Sequence, residues 1–92
     1  MRVISRVALR EFAEKHPQAR TPLDAWDHTA RHARWQSLVD VRKVYPHADL
    51  VGELTVFNIA GNKYRLSTHI NYHTQIVYLR KVQTHAEYSK ER

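Results

Sequence analysis

The chain has 92 residues, a formal net charge of +6 and a pI near 10.0, and it contains no cysteine. This length predicts one small domain over residues 1–92, and the lack of cysteine excludes disulfides and thiolate metal sites and fits a reducing cytoplasm. No apolar run is long enough to span a membrane, and the charged start does not read as a secretory signal. The basic excess favours a polyanionic partner, either nucleic acid or an acidic protein, over a surface that is merely solvated.

The first half of the chain has the apolar spacing of helices. After a short edge strand over residues 1–4, the pattern predicts a helix over residues 5–15. A second helix is expected to begin at Thr21, which would cap it while Asp24 reaches back to the cap residue. A further short segment over residues 38–44 is either helical or irregular.

From Glu53 onward the apolar period changes to two, which is typical of strands. The second of three predicted strands points one set of side chains to the core and another to solvent; the solvent set is Lys63, Arg65, Ser67, His69 and Asn71. The third strand, residues 76–82, is apolar on both faces. We therefore expect an α+β fold: N-terminal helices packed on one face of a twisted, mainly antiparallel sheet of three or four strands, with a short C-terminal helical turn.

The length of the first hairpin loop decides which side chains lie beside Arg65. A loop with an even number of residues around Gly61-Asn62 places Asn58 next to Lys63 and Arg65 on the open face of the sheet. The same loop sends the neighbouring apolar side chains of the first strand to the core. We expect the even loop for that reason.

The second hairpin obeys the same rule. An even loop near His73-Thr74 places Ser67 opposite Arg80 and Arg65 opposite Val82, so that Arg80 joins the open face. A three-residue loop would instead bury Arg80. The core pattern of the third strand supports the even loop.

Cations on this open face suit a phosphate ligand. Guanidinium groups bind phosphate oxygens through paired hydrogen bonds and stay charged, and they can stabilise charge that develops on a scissile phosphate. Solvated strand cations are the alternative. A charge inside an otherwise apolar strand is costly without a task, which favours function for Arg80 and Arg65 and leaves Lys63 open.

The tail after the third strand holds an imidazole, His85, and a phenol, Tyr88. An imidazole is the usual general acid or base near neutral pH, and a phenol can donate a hydrogen bond or act as a base if cations lower its pKa. Alternatively, Thr84 and Glu87 could form a capping box at the start of a helical turn, in which His85 and Tyr88 merely pack. The residues alone favour packing over catalysis, although a capped turn could also hold catalytic side chains.

Two pairs of histidines sit four residues apart, His28 with His32 and His69 with His73. Two ligands do not make a metal site, and no carboxylate or cysteine pattern completes either pair. There is also no phosphate-binding glycine loop and no nucleophile elbow. We therefore expect neither a metal nor a cofactor.

Further charges and aromatic side chains leave two interpretations open. The helical half carries cations that are either a solvated face or part of a nucleic-acid footprint: Arg31, Arg34, Arg42 and Lys43. Three tyrosines either stack on bases or belong to the core: Tyr45, Tyr72 and Tyr78.

Over nearly its whole length the chain resembles the HigB family of type II toxin–antitoxin toxins, within the RelE-like group of mRNA interferases. The residues that carry the resemblance are Phe12-Ala13-Glu14-Lys15-His16-Pro17, Leu23, Trp26, Trp35, Ala48-Asp49, Val56-Phe57-Asn58-Ile59, Gly61-Asn62-Lys63-Tyr64-Arg65-Leu66 and Thr84-His85-Ala86-Glu87-Tyr88. The phenylalanine–asparagine strand and the histidine–tyrosine tail are specific together, but neither is specific alone.

The resemblance implies a RelE-like fold and metal-free cleavage of mRNA on the translating ribosome by the substrate's own 2′-hydroxyl. It implies Arg65 and Arg80 as stabilisers of the phosphate and His85 and Tyr88 as proton-transfer residues, so these four are the predicted catalytic set. The predicted RNA-binding residues are Asn58, Lys63, Ser67 and Lys81. The chain departs from the family at Ser89, where an aspartate is expected.

The resemblance also implies partners and a location. These are a helix-turn-helix antitoxin of the HigA type, mRNA and the ribosome, and operator DNA only indirectly through the antitoxin, all in the cytoplasm and away from membranes. Two other functions stay open: a non-catalytic module that blocks translation by occupying RNA or the ribosome, and an inactive toxin that serves as a co-repressor with its antitoxin.

Overall fold

The computed structural model describes residues 1–91. In chain order the elements are β1 (Arg2–Ile4), α1 (Val7–Lys15), a 3-10 turn (Pro17–Ala19), α2 (Arg20–His32), α3 (Leu38–Val44), β2 (Asp49–Val51), β3 (Leu54–Ile59), β4 (Tyr64–Asn71), β5 (Ile76–Thr84) and α4 (His85–Glu91). The strands form one sheet in the order β1-β5-β4-β3-β2, in which β1 runs parallel to β5 and the other neighbours are antiparallel. The predicted α+β fold is confirmed.

The sheet has five strands within residues 1–91, more than the three or four predicted. The short edge strand at the start of the chain is confirmed as β1, whereas β2 was not predicted. All three residues of β2 are exposed, so no apolar alternation marks them. Its loop to β3 is only Gly52-Glu53, and Gly52 has the positive φ of +62° that favours glycine in such tight hairpins.

The helix starts differ from the predicted ones. α1 begins at Val7 because Ser5 takes a left-handed φ of +71° and cannot continue a helix backward. α2 begins at Arg20, and no side chain caps it. The predicted Thr21 cap is wrong because the 3-10 turn runs directly into α2, so the backbone is already helical at Ala19.

The core lies between the helices and one face of the sheet. Its centre is Phe57, whose ring contacts Trp26 at 5.3 Å, Tyr45 at 5.3 Å and Trp35 at 6.1 Å between ring centroids. Phe57 and Trp26 are at most 1 % exposed, and burial of one large apolar side chain contributes roughly 1.5–3 kcal/mol. None of the helices within the described range is both long and apolar enough to cross a bilayer.

The first hairpin has the predicted even loop. Ile59 pairs with Tyr64 across the four-residue loop 60–63, and Asn58 pairs with Arg65. Lys63 therefore lies in the loop, next to the strand end, rather than on β4 itself. Phe57 and Ile59 are buried, as the loop length requires.

The second hairpin also has an even loop, since Asn71 pairs with Ile76 across residues 72–75. The predicted partners further along are nevertheless wrong. A register shift between Ser67 and Thr68 pairs Ser67 with Lys81 and Arg65 with Gln83, instead of with Arg80 and Val82. One extra residue in β5 forms a bulge at this point, which loop length alone cannot reveal.

Candidate active site

The face of the sheet opposite α1 and α2 carries two rows of side chains that run across the strands. Directly paired residues point to the same side of a sheet. One row is Asn58, Arg65 and Gln83, and the next is Asp49, Val56, Ser67 and Lys81. α4 packs against the ends of β4 and β5 beside these rows.

Arg65 is the centre of the first row. Its guanidinium donates hydrogen bonds to the carbonyl oxygens of Asn62 and Tyr64, at 3.3 Å each, and to the Asn62 side-chain oxygen. It also lies 3.2 Å from Nδ1 of His85 and 5.8 Å from the ring centroid of Tyr88. Because no carboxylate among residues 1–90 pairs with it, its charge is available to an anionic ligand.

The Arg65 contact defines the hydrogen-bonding role of His85. A guanidinium can only donate, so the contact is a hydrogen bond when Nδ1 of His85 is the acceptor. The proton of the neutral ring is then on Nε2, which is free to donate to a ligand. In this tautomer His85 accepts one hydrogen bond from Arg65 through Nδ1 and can donate one to a ligand through Nε2.

α4 positions His85 and Tyr88 through its first turn. The backbone N–H of Thr84 donates to Oε1 of Glu87 at 2.8 Å, and the N–H of Glu87 donates to Oγ1 of Thr84 at 3.2 Å. The predicted capping box is therefore confirmed. A further bond from the N–H of His85 to the carbonyl of Lys63, 2.8 Å long, ties the helix start to the first hairpin.

These side chains line a groove that contains four of the eight predicted site residues. It is lined by His47, Asp49, Val56, Asn58, Arg65, His85, Tyr88 and Ser89 and has a volume of about 280 Å³. His47 and Asp49 were missed as site residues because the sequence did not predict β2. Asp49 is the first residue of this strand, and His47 lies two residues before it.

The other four predicted residues lie outside the groove. Lys63 is exposed in the hairpin loop, and Lys81 is exposed in the second row. Ser67 is only 2 % exposed, which leaves little surface for contact with RNA. Arg80, displaced by the bulge, places its guanidinium 5.6 Å from the ring centroid of Tyr78.

The three tyrosines considered for base stacking lie in different parts of the molecule. Tyr45 and Tyr72 pack against the core, and burial raises the pKa of both phenols, partly offset by hydrogen bonds with Thr29 and Thr55. Tyr78 lies on the open face, opposite His69. Only Tyr78 of these three can offer its ring to a ligand on that face.

The histidine pair on α2 has a local hydrogen bond. The His28 and His32 rings lie 4.3 Å apart, and Nδ1 of His32 lies 2.8 Å from the carbonyl oxygen of His28. Within residues 1–91 no three His, Asp or Glu side chains converge as metal ligands. Both rings are exposed, on the helical side of the molecule.

The α+β architecture, a mixed sheet with α1 and α2 on one face and a groove around Arg65 on the other, is consistent with a RelE-like fold. The family described as HigB_toxin, RelE-like toxic component of a toxin–antitoxin system, matches residues 19–91. The chain is 34 % identical over 91 residues to the mRNA interferase toxin HigB of Escherichia coli K12, which covers 96 % of this chain and 88 % of that relative. The mRNA interferase HigB of Shigella flexneri matches to the same extent. The chain therefore belongs to the HigB toxin family, and its membership implies an antitoxin as partner.

Proposed function

We propose that this protein is an mRNA interferase, an endoribonuclease toxin that stops translation by cutting mRNA on the ribosome. The observation that carries the proposal is the contact between Arg65 and His85 in an open groove, with Tyr88 against the same guanidinium. This combination places a permanent cation beside an imidazole, the usual proton-transfer group near neutral pH. The names of the related HigB proteins point to the same activity.

The chemistry needs only these side chains and the RNA. The 2′-hydroxyl oxygen attacks the adjacent phosphorus while a base removes its proton; the bond from phosphorus to the 5′-oxygen breaks, and an acid protonates that oxygen. The products are a 2′,3′-cyclic phosphate and a 5′-hydroxyl. Arg65 would stabilise the charge of the pentavalent phosphate, and His85 and Tyr88 would be the two proton-transfer residues, one acting as the base and the other as the acid.

The partners follow from the same proposal. The toxin would be held inactive by a helix-turn-helix antitoxin of the HigA type and would reach operator DNA only through it. In the cytoplasm it would meet mRNA and the ribosome, and a net charge of +6 supports binding to both polyanions. The single hydrophobic core supports treating residues 1–92 as one toxin domain.

The first prediction tests the groove. Wild type should produce discrete cuts in cellular mRNA, read by primer extension, and His85→Ala should reduce them by about 10²-fold or more because a proton-transfer residue is lost. Arg65→Ala should do the same. His28→Ala is the matched control, since His28 is an exposed histidine on the helical side, and it should cut like wild type.

The result also separates the rival functions. Growth arrest without any cuts would overturn the proposal in favour of a protein that blocks translation by occupancy. Full cutting by both the His85→Ala and Arg65→Ala variants would instead show that the active site is elsewhere. Expression without arrest or cuts would indicate an inactive toxin retained as a co-repressor.

A further inference from the structure

A second group of side chains lies on the open face beyond the groove. Tyr78 pairs with His69 across β4 and β5, and their ring centroids are 6.1 Å apart with an angle of 44° between the planes. His69 is four residues along β4 from Arg65, which corresponds to a separation of ~13 Å. The group is therefore on the same face as Arg65 but is too far away to share its contacts.

Arg80 completes this group. The bulge in β5 directs it toward Tyr78, with the guanidinium carbon 5.6 Å from the ring centroid. Arg80 is exposed, and among residues 1–90 the ring of Tyr78 is its only partner. On the helical side, by contrast, Arg31 pairs with Asp27 at 3.2 Å. Arg80 is thus a planar cation that lies over an aromatic ring and pairs with no carboxylate of residues 1–90.

We infer that Arg80 and Tyr78, with His69 at their side, form a stacking subsite for one nucleobase of an RNA strand. Bases stack on guanidinium planes and on aromatic rings, and the cation also attracts the phosphates on either side of the base. The inference rests on the proposed function for the identity of the ligand. Its position, about 13 Å from Arg65 along β4, assigns the base to a nucleotide that is near the cleaved linkage but not part of it.

The test uses an RNA that cannot be cleaved. A fluorescein-labelled 2′-O-methyl RNA hexamer lacks the attacking hydroxyl, and an abasic residue is moved through it one position at a time. Affinities are measured by fluorescence anisotropy at low salt for wild type and for Tyr78→Leu, which keeps an apolar side chain but loses the ring. Wild type should lose affinity about tenfold when one particular base is removed, and Tyr78→Leu should not respond to that removal.

Conservative variants separate stacking from packing and from charge. Tyr78→Phe keeps the ring and should restore the sensitivity to the missing base. Arg80→Lys keeps the charge but loses the plane, so it should bind more weakly than wild type. Arg10→Lys is the matched control, because Arg10 is an exposed arginine of α1 on the other side of the molecule.

The stacking subsite would be overturned if wild type, Tyr78→Leu and Tyr78→Phe bind every hexamer with equal affinity. The same holds if none of the three proteins binds any hexamer detectably. The cleavage experiment is independent of this one. If cuts occur in cells but no abasic position matters, only the subsite fails. If removal of one base matters in wild type and not in Tyr78→Leu, yet no cuts occur, the subsite stands and the proposed function fails.

Discussion

Ala60 holds an unusual backbone conformation in the loop that presents Arg65. Its φ is +55°, followed by +69° at Gly61. The left-handed region costs a non-glycine residue roughly 1–2 kcal/mol. The loop then delivers Asn62, whose side-chain and backbone oxygens both accept hydrogen bonds from Arg65. The strained turn is thus part of the support for the central cation of the groove.

This strain gives a prediction for the free energy of unfolding. Ala60→Gly should stabilise the protein by about 0.5–1 kcal/mol, because relief of the left-handed strain exceeds the added chain entropy of glycine in the unfolded state. The same substitution in a helix, Ala25→Gly on the exposed side of α2, should destabilise it by about 1 kcal/mol. Urea unfolding of both variants measures the two signs, and a loss of stability in Ala60→Gly would contradict the argument.

Among the elements, α4 has the clearest local determinants. Its capping box was predictable because Thr84 and Glu87 are three residues apart and need no information from the rest of the chain. The N-terminal cap of α2 was predicted by the same logic and is wrong, because an upstream 3-10 turn supplies the helical start. Local capping signals in the sequence therefore predict a helix start correctly only where no neighbouring element already supplies it.

The capping box gives a prediction at the scale of this helix. Thr84→Ala should cost about 1 kcal/mol, and the loss should fall on α4, so cleavage should weaken more than the cooperative unfolding of the sheet. Thr84→Ser keeps a hydroxyl that can accept the same bond and should restore activity. Cleavage by primer extension is compared with urea unfolding for the three proteins. Equal cleavage by the alanine variant and wild type would show that the cap does not position His85.

The sequence does not predict the features that depend on which strand pairs with which, namely β2 and the bulge in β5. β2 has three exposed residues and exists because β3 offers it an edge. The bulge in β5 is invisible in a pattern that remains apolar, yet it decides that Arg65 faces Gln83 and that Arg80 contacts Tyr78. The sequence could predict which face of the sheet carries the cations, but not which side chains lie next to each of them.

Over the whole molecule, the two arginines of the open face stay apart from the ion pairs of the other cations. Asp27, Asp40 and Asp49 pair with Arg6, Arg31, Arg42 and Lys43, and none of these pairs includes Arg65 or Arg80. The chain has an excess of basic residues, 15 against 9 acidic ones, and these two arginines add to it on the open face. This distribution directs a polyanion to that face.

The core gives a whole-molecule prediction for alkaline pH. Burial raises the pKa of Tyr45 and Tyr72 above the ordinary value of 10.0, so near pH 10 the unfolded chain loses these protons before the folded one. The stabilising contribution is complete below pH 10 and is lost as pH rises through the folded-state pKa values. Urea unfolding at pH 8 to 11 measures this fall, and Tyr45→Phe should make it shallower; an unchanged slope would contradict the assignment to Tyr45.

The position of β5 in the sheet has a consequence for the order in which the protein matures during synthesis. β5 is the shared neighbour of β1, near residue 3, and of β4, so neither of these contacts can form before residues 76–84 have been made. Contacts between such distant parts of a chain also form late because they close long loops. His85 and Tyr88 follow immediately after β5. Under the proposed function a growing chain would not cut mRNA before β5 and α4 have been made, because the groove needs side chains from both hairpin strands and from α4.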